Sequence, residues 1–483
     1  MATPITIADE HEPAEPDVAA TRWPVRPWAL APAVAIPLVT AYLIVSPPAG
    51  DLAAATYRSD LFARVGFTTW DTGWYAAHGY WLPAYSLLSP ALGALLGVRL
   101  LLALSALTAS ALFGLIAERL FAPAAARVAA GVFALGFCVG MLSGRVPYDL
   151  GFAIGLGSVL ALMPADRGSR RSLIGGLPAA LALAVLASVA SPVAGAFLAL
   201  AGLAYATAEW RRGLALCAAA LIPVLVLGVA YPTGGYEPFA ASAFWPALAG
   251  VMLIALLLPQ GPLTPHGRRV LRLGAALYAL ALIGAYAIDT PVGGNAARLG
   301  ALIAPPLLTG VLWEKRRALL LVLAPVLLYW QLATPIRDVS AIWGDPSVNA
   351  SYYAPLLSEL HRLRDDRPTG DMPTTGEEPT IVEVPMTAAH WESAYLPGHD
   401  DIELARGWER QLDTRYGAIF YRKTLSAAAY RAWLAENRVS YVALPDVRLD
   451  SAGRLEGALV ARGLPYLRKL WRSRHWRLYR FMG

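Results

Sequence analysis

Charged residues are scarce in this sequence, at 15% of 483, where a soluble domain carries about 25%. That shortage excludes an ordinary soluble enzyme. Lysine is rarer still, with only Lys315, Lys423 and Lys469, while arginine and alanine abound, a bias common in high-GC bacteria. The two cysteines, Cys138 and Cys217, each sit inside an apolar run, which excludes a disulfide framework and zinc-type spacing. No P-loop, Gly-x-Ser-x-Gly or dinucleotide fingerprint is present. The formal charge is +6, but no basic stripe interleaved with aromatics accompanies it, so nucleic acid is excluded as a partner. The N-terminus has no basic segment leading into a short apolar core. It carries Asp9, Glu10, Glu12, Glu15 and Asp17 instead, so it is no secretory signal. No solenoid-type repeat appears.

What is abundant is apolar: 57% of residues, with a mean hydropathy of +0.47. Crossing about 30 Å of hydrocarbon takes roughly 20 apolar residues. Runs of suitable length predict spans near 29–46, 100–117, 126–143, 149–164, 173–189, 193–208, 214–230, 241–259, 270–287, 297–313 and 318–334. Arginines fall in alternate gaps: Arg119 with Arg127, the run Arg167–Arg170–Arg171, Arg211–Arg212, Arg268–Arg269–Arg272 and Lys315–Arg316–Arg317. The positive-inside rule puts these gaps and the N-terminus in the cytoplasm. Residues 82–97 are apolar but short and hold Pro83 and Pro90. A span there would flip every later basic gap, so a re-entrant or interfacial helix is expected.

The expected organisation is an α-helical polytopic membrane domain of about eleven transmembrane helices with a small C-terminal α/β domain outside. A disordered cytoplasmic tail covers 1–28. The transmembrane part covers 29–335, with a large outer loop over 47–81 and the re-entrant segment over 82–97. The outer domain covers 336–483 and sits on the far side of a plasma (inner) membrane. Its strand candidates are Thr380–Val384, Ser440–Leu444 and Trp476–Phe481; its helix candidates are Tyr352–Leu363, Ser426–Glu436 and Leu455–Arg462, with a loop over 365–379.

The first outer loop is far richer than a connector requires. It holds Tyr57-Arg58-Ser59-Asp60, then Trp70-Asp71-Thr72-Gly73-Trp74-Tyr75, then His78-Gly79-Tyr80-Trp81-Leu82-Pro83-Ala84-Tyr85. A first span, an acid-bearing outer loop and a proline-containing approach to an apolar helix resemble the GT-C class of membrane glycosyltransferases. The likeness covers the layout of most of the chain but particular residues only over about 57–90. Asp60 corresponds to the first-loop acid of the class. Leu82-Pro83-Ala84-Tyr85 corresponds imperfectly to a Pro-Pro-Leu-Tyr type segment. Many members carry neighbouring acids, whereas here Leu61 follows Asp60 and the next acid is Asp71. Ala405–Asp413 more loosely resembles a stretch of certain actinobacterial membrane proteins.

The resemblance implies transfer of a sugar from a polyprenyl-phosphate donor to a cell-envelope glycan or protein. A carboxylate would take the acceptor's proton, with Asp60 first in line and Asp71 second. His78, Arg145, Asp149, Arg298, Tyr57 and Trp74 would bind substrate. Arg145 and Arg298 would hold phosphate at the outer ends of spans, where a planar guanidinium suits that group. His390, Glu392 and Trp408 would meet the acceptor. A divalent cation, Mg or Mn, is the one cofactor the resemblance allows; its ligands are unknown. Each residue also has a plain alternative: a helix cap for Asp60, a turn acid for Asp71, an Arg145–Asp149 pair holding a turn, interfacial snorkelling for Arg298. A membrane scaffold with a partner-binding outer domain and a transporter or flippase remain the competing functions.

Overall fold

The computed structural model describes residues 26–163, 176–257, 264–365, 379–398 and 401–483. The acidic tail up to residue 25, the run Arg167–Arg170–Arg171 and residues 366–378 of the expected loop lie outside the described residues. The chain opens with α1 (Pro27–Val45). The first loop then folds as α2 (Gly50–Val65), the paired strands β1 (Trp70–Asp71) and β2 (Tyr80–Trp81), and α3 (Ser89–Leu96). Ten helices follow: α4 (Val98–Leu120), α5 (Pro123–Gly140), α6 (Val146–Leu162), α7 (Gly176–Ala190), α8 (Pro192–Tyr205), α9 (Trp210–Ala230), α10 (Ala241–Leu257), α11 (Pro265–Ala287), α12 (Ala297–Leu312) and α13 (Arg317–Ile342).

Each of the eleven runs read as spans contains a helix among the described residues. Among the described residues seven helices are long and apolar enough to cross a membrane, and α6, α7, α8 and α10 are shorter apolar ones. Prolines lie inside α1, α9, α10, α12 and α13. Such helices persist in an apolar bundle because side chains and neighbours take up the freed backbone groups. Thr309 Oγ1 also donates to the Pro305 carbonyl one turn back, at 2.8 Å. Leu225, Val226 and Val229 of α9 and Leu321 and Val322 of α13 stand exposed, as lipid-facing side chains would.

Two features of the outer loop depart from expectation. The apolar segment 82–97 is helical only over Ser89–Leu96, with Pro90 in the first turn, where its missing N–H breaks no helical bond. The stretch before it contains a 16-residue helix, α2, which a loop reading hides. Its sequence is rich in helix formers, Asp51 in its first turn complements the helix dipole, and Gly66 ends it at a φ of +73°.

The C-terminal part is mixed α/β. It comprises α14 (Ala350–Asp365), β3 (Thr380–Glu383), α15 (Glu392–Tyr395), β4 (Ile402–Leu404), α16 (Arg410–Tyr416), α17 (Ala427–Glu436), β5 (Tyr441–Pro445), α18 (Ser451–Ala461), β6 (Leu467–Arg472) and β7 (Trp476–Phe481). The strand order is β4-β3-β5-β7-β6, parallel across β4-β3-β5 and antiparallel across β5-β7-β6. The three strand candidates are present, and β4 and β6 are additional. Side chains alternate along β5: Tyr441 and Ala443 join the core shared with the helices, while Val442 and Leu444 join a second core with Tyr430 and Leu434 of α17. The first core runs without a break from α1 through the outer loop to β7.

Arg58 locks the loop to this domain. Its guanidinium pairs with Glu409 and lies over the rings of Tyr85 at 3.8 Å and Trp74 at 4.8 Å. A buried cation needs such a partner and such faces. The outer loop therefore serves as the seat of the C-terminal domain.

Candidate active site

A cavity of about 1650 Å³ opens where the bundle, the outer loop and the C-terminal domain meet. Its deeper walls are apolar: Val224 and Leu227 of α9, Leu253 of α10, Leu302 of α12, Val326 and Trp330 of α13. Its upper part is charged. Asp51 comes from α2, Arg145 and Asp149 from the α5–α6 turn and the start of α6, Arg298 from α12, and Asp338 from the last turns of α13. The C-terminal domain closes the top with His390, Trp408 and Arg410.

Arg145 organises the centre. It contacts Asp51 at 3.2 Å and Asp338 at 3.5 Å, and Ser143 Oγ donates to the same Asp338 oxygen at 2.8 Å. The preceding Gly144 sets this up. Its φ is +75°, and a Cβ there would lie 2.7 Å from the Leu52 backbone nitrogen, so only glycine lets the turn reach α2 beside Asp51.

Arg298 is the second residue of α12, just after a 3-10 turn over Gly293–Ala296. It lies over the Tyr148 ring at 5.4 Å and makes no ion pair among the described residues. A guanidinium with unused donors at a helix N-terminus suits an anion. Asp149 is buried and also makes no ion pair there. Glu237, from the loop between α9 and α10, lines the same space, and burial raises its carboxyl above the ordinary range.

The rim has its own chemistry. His390 stacks on Trp408 with ring centroids 3.4 Å apart. Burial holds its imidazole down to about 4, neutral at pH 7, in spite of Asp450 nearby. Arg410 lies over the same Trp408 at 4.7 Å and pairs with Asp450 at 3.2 Å. Trp408 is thus covered by protein groups rather than offered as a bare platform.

The structure brings Arg145, Asp149, Arg298, His390 and Trp408 to one cavity and leaves the other candidates off its lining. Asp60 is exposed. It follows Asp51 by nine residues, about 13.5 Å along α2 and half a turn round it, so the two acids point opposite ways. Asp60 does not join Arg145 and Arg298 on the cavity lining. Asp71 accepts a hydrogen bond from Tyr57 Oη at 2.8 Å. Trp74 is sandwiched between Tyr57 at 4.8 Å and Tyr80 at 5.6 Å, and its Nε1 donates to the Ser393 carbonyl. His78 stacks on Tyr416 at 4.4 Å. These four make the joint between loop and domain. Glu392 accepts from Thr387 N and Oγ1 inside the domain, and burial pushes its carboxyl up to about 7.

Reading the sequence missed Asp51, Asp338, Arg410, Glu237 and Tyr85 as cavity residues. Asp51 carried a signal: Pro47-Pro48-Ala49-Gly50-Asp51 is a helix start with an acid in its first turn. Asp338 lay beyond a span cut short at 334, although α13 continues to Ile342.

The described residues do not fit a divalent cation held by protein alone. They contain no group of three His, Cys, Asp or Glu side chains placed to ligate one, and Asp51 and Asp338 are both engaged by Arg145. Arg145 and Arg298 bring positive charge to this site.

No protein-family model and no curated protein sequence matches the chain. Solved structures do. The oligosaccharyltransferase of Archaeoglobus fulgidus, solved with a tethered acceptor peptide, superposes with a TM-score of 0.50 at 12% identity, over 86% of this chain and 68% of that one. The mycobacterial arabinofuranosyltransferase AftD gives 0.50 at 17% identity, over 94% of this chain but only 41% of that one. Both are GT-C glycosyltransferases. At such identity the likeness is one of fold.

Proposed function

We propose that the chain is a membrane glycosyltransferase that takes a sugar from a polyprenyl-phosphate donor and passes it to an envelope glycan or protein on the outer side of the plasma membrane. The observation that carries this reading is the pairing, in one cavity, of a first-loop carboxylate with an arginine that has no ion pair among the described residues, above apolar walls. The fold shared with two glycosyltransferases supports it. So does the charge pattern, which favours eleven spans, a cytoplasmic N-terminus and an outward C-terminal domain. A transporter would place ionisable groups at mid-membrane; here they gather at helix ends.

In this reading Asp51 takes the role first given to Asp60. Its carboxylate lies 3.2 Å from the Arg145 guanidinium. It accepts the proton of the acceptor hydroxyl as that oxygen attacks the anomeric carbon. The bond from that carbon to the phosphate oxygen breaks, and the polyprenyl phosphate departs with its charge against Arg298 and Arg145. The prenyl chain lies along the apolar residues of α9, α10, α12 and α13. His390 and Arg410 flank the acceptor's approach.

The test is glycan analysis of cells that depend on the protein. Asp51→Asn is expected to abolish the product while Asp60→Asn keeps it. Wild-type glycan from Asp51→Asn cells overturns the assignment.

A further inference from the structure

The last 27 residues, from Gly457 on, hold seven arginines and lysines and no acid. All but one belong to or border the β6–β7 hairpin: Arg468, Lys469, Arg472, Arg474, Arg477 and Arg480. Five of these six are exposed and Arg477 is half-buried. None makes an ion pair among the described residues. Two pairs stand directly opposite each other across the strands, Arg468 with Arg480 and Arg472 with Arg477. Like charges so placed repel.

Protecting a sheet edge does not account for this. Cations on the edge strand β6 would suffice to block pairing with another sheet. Arg477 and Arg480 lie on β7, which is flanked by β5 and β6.

Position supplies the rest. The hairpin tip is fastened to the end of the domain nearest the bundle. The Tyr352 hydroxyl donates to the His475 carbonyl at 3.3 Å, and Trp476 Nε1 donates to the Tyr352 carbonyl at 2.9 Å. Tyr352 lies in the first turn of α14, which is joined to the end of α13 by a short link with a 3-10 turn over Pro346–Val348, and Arg448 reaches the Ala341 carbonyl on α13 itself. Trp343, just past that end, is exposed, as an interfacial tryptophan would be. Arg472, Arg474 and Arg477 thus cluster at the membrane-facing end of the sheet.

We propose that this hairpin docks on anionic phospholipid headgroups around the outer end of α13, with the tip arginines taking the phosphates. The inference rests on the membrane reading above but not on glycosyl transfer. Arginine's planar donors match phosphate, and basic segments beside a membrane bind anionic leaflets through the same attraction.

Hydrogen exchange on the full-length protein in nanodiscs tests it. Discs of phosphatidylglycerol and phosphatidylcholine are compared with discs of phosphatidylcholine alone, and the opposite edge strand β4 serves as internal control. Amides of β6 and β7 are expected to exchange about tenfold more slowly in the anionic discs, with β4 unchanged. The difference should vanish in high salt, and in the triple variant Arg472→Gln, Arg474→Gln, Arg477→Gln. The salt arm needs no variant, so a poorly folding mutant does not block the test. Equal exchange in both discs overturns the proposal. So does equal protection by a soluble sulfated glycan in phosphatidylcholine discs, which would assign the patch to a polymer.

Discussion

Two arginines in this protein each face several carboxylates, and they do opposite things. Arg406 is sealed inside the C-terminal domain. Asp413 holds it twice, at 2.9 and 3.0 Å, Glu456 at 3.0 Å and Glu383 at 3.5 Å, with Phe420 over its face at 3.8 Å. Tyr430 and Tyr421 donate to two of those acids. Arg145 holds Asp51 and Asp338 at longer range in a cavity wall, with Arg298, which has no ion pair among the described residues, on the same cavity. The first cluster has little hydrogen-bonding capacity left and is architecture. The second keeps some in reserve, which marks a place for a ligand. Counting charges would not separate them; counting unused donors does.

Arg406→Met should break the contrast most visibly. It strands three buried acids and is expected to destabilise the domain by about 3–5 kcal/mol, read as an early transition in thermal unfolding of the purified protein. Arg145→Met should do the reverse. Its half-exposed pairs are worth about 1 kcal/mol or less, so melting barely moves, while turnover falls at least about a hundredfold through lost phosphate stabilisation. Equal loss of stability in both variants would erase the distinction. Arg298→Gln should weaken binding of a polyprenyl monophosphate roughly ten- to a hundredfold, the worth of a charged hydrogen bond, measured by ligand-dependent thermal shift with unliganded melting unchanged.

The smallest effect concerns pH. Burial and the neighbouring Glu456 carboxylate hold the Glu383 carboxyl well above the ordinary range, so the fold binds its proton more tightly than the unfolded chain does. An unfolded glutamate loses its proton near its usual value. The stability this group supplies is therefore full in acid and is lost as pH rises towards its folded value. Glu383→Gln, neutral throughout, should flatten that part of the fall in melting temperature between pH 5 and pH 9. An unchanged slope would show that Glu383 is ionised in the fold.

Hydropathy made the helices of the bundle legible because each needs a long apolar run whatever surrounds it. Arg145 and Arg298 were legible as cations placed where apolar runs begin. Asp51 and Asp60 were not separable, because the choice depends on which face of α2 turns inward, and the first loop did not read as a helix. Tyr57, Asp71, Trp74 and His78 looked like substrate chemistry because aromatics with acids serve joints as well as sites. Asp338 and Arg410 meet the cavity through contacts between distant segments, which no local pattern encodes.

The Arg58–Glu409 contact spans 351 residues of sequence. On the proposed topology, Arg58 leaves the ribosome and crosses the membrane long before its partner exists. At roughly 5–20 residues per second the interval is about 20–70 s. Until the C-terminal domain has been exported and folded onto the loop, the chamber has no roof, and Asp51 faces open water. On the proposed function, the last third of the chain sets the moment of competence, and a truncated chain, however well inserted, is expected to stay inert.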